Sequence, residues 1–268
     1  MVLQRAPISA RIWGNDATAH SKVTVAIHRQ IDHGFNREST SILFQASVFA
    51  SRLGKWSVDI EPQQPGTGFA VSVYSDDGRS ENLTNVAFGD VFLCAGESNM
   101  WFPVRDSDVR RSMDSLPSNF FDGLAIMRVG RLSSPDGAVD RLPNIPSAGK
   151  KLACSSQRDL CTRTWERGNM VAYRDFSAVC LGTALHLRSL HAARAIPFGL
   201  VQVTWGASRL EAWSPPSTLR ECPGYPTLKR GEVTEGDEDG AIYQGMLAPL
   251  LPMRLAAFMW YQVCRICL

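Results

Sequence analysis

Two short segments combine residue types that could carry acyl transfer. The first is Gly96-Glu97-Ser98-Asn99-Met100, directly after the apolar run Val91-Phe92-Leu93-Cys94-Ala95. A continuously apolar run of this kind reads as a strand buried on both faces, as in a parallel sheet. In open α/β sheets ligands bind beyond the carboxyl ends of the strands. A serine on the turn leaving such a strand is therefore presented where a substrate arrives. Gly96 removes side-chain bulk just before it and permits a tight backbone. The segment is not the G-x-S-x-G elbow, because Met100 stands at the last glycine position. Spacing alone leaves two roles open for Ser98, a nucleophile or a hydroxyl cap for the helix that follows.

The second segment is Trp205-Gly206-Ala207-Ser208, just past the apolar stretch Leu200-Val201-Gln202-Val203-Thr204-Trp205. A serine hydrolase needs donors that stabilise the oxyanion of its tetrahedral intermediate. The backbone N–H of Gly206 is a candidate donor into the same crevice. The competing role is a strand-to-helix turn that uses glycine for backbone reasons alone.

These two turns need a sheet and a helix to hold them. Phe176, Val179, Cys180, Leu187 and Leu190 fall on one stripe, which predicts a helix from about 175 to 195. Pro197, Phe198 and Gly199 then break it before the second apolar strand. Strand, helix, strand is the signature of an α/β domain. Residues 1 to about 85 read differently. Val23, Val25 and Ile27 alternate with polar neighbours, as do Trp56, Val58 and Ile60, and Phe69, Val71 and Val73. Period two marks half-buried antiparallel strands, and the turn signals at Pro65-Gly66 and Asp76-Asp77-Gly78 suggest a sandwich. Residues 103–123 and 133–157 read as surface excursions, and the acidic, glycine-rich stretch 232–240 as a solvated loop. Phe258-Met259-Trp260-Tyr261 reads as a central strand of the parallel sheet.

Composition narrows the class. The 268 residues are 44% hydrophobic and 20% charged, which excludes wholesale disorder. Lys plus Arg number 28 against 26 Asp plus Glu, and that near-balance argues against a nucleic-acid partner. No apolar run approaches the roughly 18 residues of a membrane-spanning helix. Seven cysteines leave at least one unpaired within the chain. The bland reading is a few buried thiols with one disulfide. Cys264-Arg-Ile-Cys267 has half the spacing of a zinc knuckle without the second half, so no metal is expected there. Asn82-Leu83-Thr84 fits the N-glycosylation sequon. Met1 to Pro7 lacks the apolar core of a secretory signal, so either the protein is cytosolic or the chain starts inside a longer precursor.

The chemistry-bearing segments also carry a resemblance. Val91 to Met100 resembles the G-Q-S-N-M nucleophile block of the sialate O-acetylesterases, members of the SGNH hydrolase superfamily. Met1-Val2-Leu3-Gln4 followed by Ile12-Trp13-Gly14 is similar to the opening of that family's N-terminal β-domain, and Phe88-Gly89-Asp90-Val91 leads into the serine as it does there. Trp205 to Trp213 resembles the family's W-G-G-T-x-I-E-A-W block, Tyr243 to Leu250 its Y-N-G-M-I-x-P-L, and Trp260-Tyr261-Gln262 the start of W-Y-Q-G-E-S-N.

The resemblance implies an α/β fold, an SGNH-hydrolase-like three-layer domain over 86–268, incomplete here, behind a β-sandwich-like domain over 1–85. It implies a serine hydrolase that removes acetyl esters from O-acetylated sialic acids or glycoconjugates, without cofactor or metal. Ser98 would be the nucleophile, and the backbone N–H groups of Ser98 and Gly206 part of the oxyanion hole. Trp205 and Trp213 would shape the pocket wall or pack the core. A lysosomal or extracellular location is implied, with a cytoplasmic one kept open by the missing signal. The rival readings are a non-catalytic glycan-binding remnant and an esterase of other acetylated sugars.

The departures are specific. The family's glutamine before the serine is Glu97, its second glycine in the tryptophan block is Ala207, and its usual proline is Arg209. A carboxylate at 97 would repel a developing oxyanion if it faced the site. Val263 to Leu268 follow Gln262 where the family has Gly-Glu-Ser-Asn, so the asparagine donor and the later Asp-x-x-His base have no matching residues. His20, His28, His33, His186 and His191 sit in no Asp-x-x-His pattern and are expected to be structural or exposed. The expectation for this chain is weak or absent activity, since a serine hydroxyl needs an adjacent base.

Overall fold

The computed structural model describes residues 1–15, 17–30, 39–142, 162–190, 196–222 and 236–262. Its strands are β1 (Val2–Gln4), β2 (Ala10–Gly14), β3 (Lys22–Gln30), β4 (Ser39–Phe49), β5 (Trp56–Ile60), β6 (Gly66–Ser75), β7 (Ser80–Gly96), β8 (Leu124–Arg128), β9 (Arg163–Arg167), β10 (Phe198–Thr204) and β11 (Ala257–Tyr261). The α-helices are α1 (Ser98–Trp101), α2 (Val109–Asp114), α3 (Met170–Arg174), α4 (Ala178–Leu190) and α5 (Pro216–Arg220).

Strand β7 is the spine. Its first half pairs antiparallel with β6, extending the order β4-β3-β6-β7. Val2–Gln4 lie parallel to Ala87–Gly89. Its second half runs parallel to β10 on one side and to β11 on the other, and β10 continues to β8 and β9. The strand therefore crosses residue 85 without a break. Burial changes along it: residues 80–85 are exposed and Val86 to Phe88 are buried. Through the β-rich part, Ile12, Val58 and Ile60 of the β2–β5 ribbon share one core with Val25, Ile27, Phe69, Val71 and Phe88 of the larger sheet. The alternation read from Val23, Trp56 and Phe69 onward is this core.

In the second half of β7 both faces are covered, which is why its sequence is apolar without alternation. Phe92 and Cys94 face a core built with Cys180, Leu181, Ala184 and Leu185 of α4. Val91, Leu93 and Ala95 face an opposite core with Ala212, Trp213, Ile242 and Met246. A parallel sheet between two such layers is a mixed α/β arrangement. Cys94 and Cys180 form a disulfide that ties the spine to α4.

Several expectations shift. The helix expected over 175–195 is α4, preceded by the short α3; residues 191–195 lie outside the described residues. Leu190, placed on the buried stripe, is 52% exposed, and the buried face is completed by Ala184, Leu185 and Arg188. Residues 103–123 are not a simple surface excursion, because Val104, Met113 and Phe120 reach into the α4-side core. Phe258–Tyr261 does form a parallel strand, but among the described residues β11 has one neighbour, β7, and Phe258 is 50% exposed. Cys264, Cys267, His33 and His191 lie outside the described residues.

Candidate active site

Ser98 opens α1 two residues after β7 ends at Gly96, and it is exposed. The turn needs Gly96: its φ is +148°, and a Cβ there would stand 2.1 Å from the Tyr261 carbonyl oxygen. Trp205 N–H donates to the Gly96 carbonyl at 3.1 Å, and Glu97 N–H to the Tyr261 carbonyl at 3.2 Å. The ends of β7, β10 and β11 are thus laced together around Ser98.

The register of β7 with β10 sets Thr204 beside Gly96, so the turn after β10 meets the turn after β7. A Cβ built on Gly206 would lie 3.6 Å from Ser98 Cβ and 3.7 Å from Ser98 Cα. The structure brings together the two residues expected to cooperate. Gln262 joins the same cluster, its Nε2 donating to the Ser208 carbonyl at 2.9 Å. Trp213 Nε1–H donates to Ser208 Oγ at 2.8 Å, and Trp213 is buried in the core. Trp205 is only partly buried. Of the two tryptophans, Trp213 packs the core and Trp205 is at the site.

Glu97 faces the serine. Its side chain is 1% exposed, and one carboxylate oxygen accepts the Ser98 hydroxyl. The other accepts Asn99 Nδ2 at 2.7 Å and the Asn99 backbone N–H at 3.3 Å. Burial opposes its charge, but the hydrogen bonds from Ser98 and Asn99 outweigh it and hold the carboxyl below the usual carboxylate range. Glu97 accepts at the start of α1, a task often given to a serine or aspartate. Ser98 itself is a donor to Glu97 rather than the cap of the helix. Arg209 does not neutralise this carboxylate: it pairs with Glu211 at 3.2 Å and contacts Asp239 at 4.0 Å. Its φ of −78° is one a proline could adopt, yet its N–H donates to Asp237 at 2.8 Å, which a proline could not do. Ala207, at the family's glycine position, is held at φ +60°. Of the described histidines, His20 lies in a turn, His28 on β3 and His186 on the exposed side of α4, and none hydrogen-bonds to Ser98.

Sequence reasoning missed Arg131. Its guanidinium lies 5.5 Å from the Trp101 ring centroid and 5.7 Å from that of Trp205. Its neighbours Gly130 and Leu132 form no motif, so only the fold shows where it goes.

A serine turn beside a glycine turn, at the carboxyl ends of adjacent parallel strands, is a layout in which a nucleophile and an oxyanion donor could meet a ligand. A carbohydrate acetylesterase from Xanthomonas citri has the same fold, with a TM-score of 0.69 at 23% identity over 98% of this chain and 48% of that one. No protein-family model matches the chain. Sequence gives the nearer kinship: the Homo sapiens sialate O-acetylesterase is 27% identical over 268 residues, 98% of this chain and 46% of the relative. The Mus musculus sialate O-acetylesterase is 28% identical, over 98% of this chain and 50% of its own length. The chain is a relative of the sialate O-acetylesterases, as the motif blocks imply, and spans about half the length of the curated relatives it matches. No helix among the described residues is long and apolar enough to cross a membrane.

Proposed function

We propose that the chain carries the nucleophile and part of the oxyanion hole of an acetylesterase acting on acetylated carbohydrates, with O-acetylated sialic acids as the substrate. The observation that carries this is the approach of Gly206 to Ser98 at the ends of adjacent parallel strands. In the reaction Ser98 Oγ attacks the acetyl carbonyl and its proton passes to a base. Negative charge gathers on the carbonyl oxygen, where the N–H groups of Ser98 and Gly206 receive it. Collapse expels the sugar hydroxyl and leaves acetyl-Ser98, which water hydrolyses. No cofactor or metal enters these steps.

No described histidine serves Ser98 as a base, so residues 1–268 alone should turn over slowly. Deleting members of a catalytic triad leaves roughly 10³–10⁴-fold catalysis over water. The buried Cys94–Cys180 disulfide supports an oxidising compartment, lysosomal or extracellular. Acetate release from 9-O-acetyl-N-acetylneuraminic acid tests the reading. The protein should release acetate above the Ser98→Ala background, and equal rates would refute it.

One observation favours a second reading, a glycan-binding protein without turnover. The Ser98 hydroxyl is already engaged as a hydrogen-bond donor to the Glu97 carboxylate. Sugar binding with no acetate release and no acylation of Ser98 would select that reading.

A further inference from the structure

We propose that Asn82 is the acceptor of an N-linked glycan when the chain passes through the secretory pathway. The proposal rests on the oxidising compartment inferred above from the disulfide, and it is independent of turnover at Ser98.

Sequence and structure converge on this residue. Asn82-Leu83-Thr84 is the only Asn-x-Ser/Thr triplet in the 268 residues. It lies in the first half of β7, where residues 80–85 are exposed. The register sets Asn82 opposite Ser72 and its neighbour Leu83 opposite Val71. Val71 is buried in the β-rich core, so the alternation of the strands turns Asn82 and Ser72 to the outer face. The next residue across on that face is Ala26 of β3, so the neighbours are small and leave room for a bulky group. Among the described residues the side chains of Asn82 and Thr84 make no hydrogen bond, and both are open to recognition. The backbone also departs from regular pairing here. Leu83 opposes Val71 while Val86 opposes Phe69, so three steps of β7 face two of β6. The bulge takes in Thr84 and Asn85, and Asn85 stands at φ +55°. Among the described residues this half of β7 pairs with β6 alone, since β1 joins only from Ala87, so its other edge is open.

The step is glycosyl transfer to an amide nitrogen, and the donor is an oligosaccharide linked to a polyprenyl diphosphate. Asn82 Nδ2 forms a bond to the anomeric carbon of the first sugar as that carbon's bond to the diphosphate oxygen breaks. The nitrogen gives up one proton, and the polyprenyl diphosphate leaves with the bonding electron pair. No oxidant or reductant is needed. The Thr84 hydroxyl completes the recognition signal, so the triplet and not Asn82 alone defines the site. A glycan is bulky and solubilising. On the open edge of β7 it would keep another strand from pairing there. Asn82 and Gly96 stand near opposite ends of the 17-residue β7, so the glycan would be remote from Ser98.

The test reads the modification itself. The full chain is produced in cultured mammalian cells behind a cleavable secretory leader. Its peptides are mapped by mass spectrometry before and after treatment with peptide:N-glycosidase F. The parent should give one glycan-bearing peptide, with the sugar on Asn82, and the treated protein should migrate on a gel with Asn82→Gln. Thr84→Ala should carry no glycan, and Thr84→Ser, which keeps the triplet, should carry it. The map of the parent decides the question even if a variant is not secreted. A bare Asn82 in the secreted parent, or a glycan that persists in Thr84→Ala, would overturn the proposal. The same map reads Cys94 and Cys180 after thiol blocking. A disulfide without a glycan would defeat the site and leave the compartment reading standing. A glycan with both thiols free would sustain the site and remove the support for that compartment.

Discussion

The Ser98 hydroxyl donates its hydrogen bond to the carboxylate of Glu97, the residue immediately before it. The same carboxylate is buried and is held by both N–H groups of Asn99. A negative charge therefore sits beside the proposed nucleophile, and close to where its oxyanion would form. Glu97→Gln removes the charge and keeps the shape. Acetyl-ester turnover should rise several-fold in any form of the protein that supplies a base. A lower rate would mean that the carboxylate takes the serine proton productively.

Glu97 also predicts a pH effect on stability. Its folded pKa lies below the unfolded value, which is roughly 4.3 for glutamate. The stabilisation it provides is then complete above that unfolded value and is lost as pH falls through the lower folded pKa. Thermal melts of Glu97→Gln and the parent should differ more at pH 7 than at pH 3. A gap that widens on acidification would show the shift to have the opposite sign.

The two site glycines should fail in different ways. Gly96→Ala would drive a methyl to 2.1 Å from the Tyr261 carbonyl at a φ of +148°, so the variant should lose the fold of the turn. Gly206→Ala meets Ser98 only at ordinary contact distance, 3.6 Å, so it should melt close to the parent. Its methyl would fill the space in front of the serine, and Ser98 should react far more slowly with an acyl probe. Circular dichroism melts beside probe labelling separate the two outcomes.

Ala207 occupies the left-handed region at φ +60°, where an L side chain costs roughly 1–2 kcal/mol. Ala207→Gly, which restores the family's residue, should not lower stability and should raise it by up to about 1 kcal/mol after glycine's extra unfolded-state entropy is counted. Denaturant titration measures this directly. A clear loss would show that the Ala207 methyl makes contacts worth more than the backbone strain.

The Cys94–Cys180 disulfide closes a loop of 86 residues between the spine strand and α4. Chain-entropy arguments give such a loop on the order of 4–5 kcal/mol. Replacing both cysteines with alanine should lower the denaturant midpoint sharply, and a reductant should do the same to the parent. An unchanged midpoint would contradict the bond's structural role.

What could be read in the sequence follows from how local each signal is. The buried half of β7 and the strand β10 were legible because a strand covered on both faces needs an unbroken apolar run. The alternation of β3, β5 and β6 was legible for the complementary reason. Strand β4 was not, because Ile42, Leu43 and Phe49 are apolar yet exposed, which blurs its period. Ser98 and Gly206 could be paired from the rule that sites gather at strand carboxyl ends. The direction of the Glu97 side chain could not, since it depends on the start of α1 folding back on its own first residues. Which of seven cysteines would bond, and that Arg131 would rest on Trp101 and Trp205, are facts of tertiary arrangement with no local pattern.

The central claim is that Ser98 is the nucleophile. Mass spectrometry after exposure to a fluorophosphonate probe tests it most directly, in the chain of residues 1–268 and in a longer form extended with the Gly-Glu-Ser-Asn and Asp-x-x-His segments of the sialate O-acetylesterases. The account predicts one phosphonylated peptide containing Ser98, labelled faster in the longer form and absent from Ser98→Ala. Labelling that persists in Ser98→Ala, or a longer form that hydrolyses acetyl esters while Ser98 stays unmodified, would contradict it.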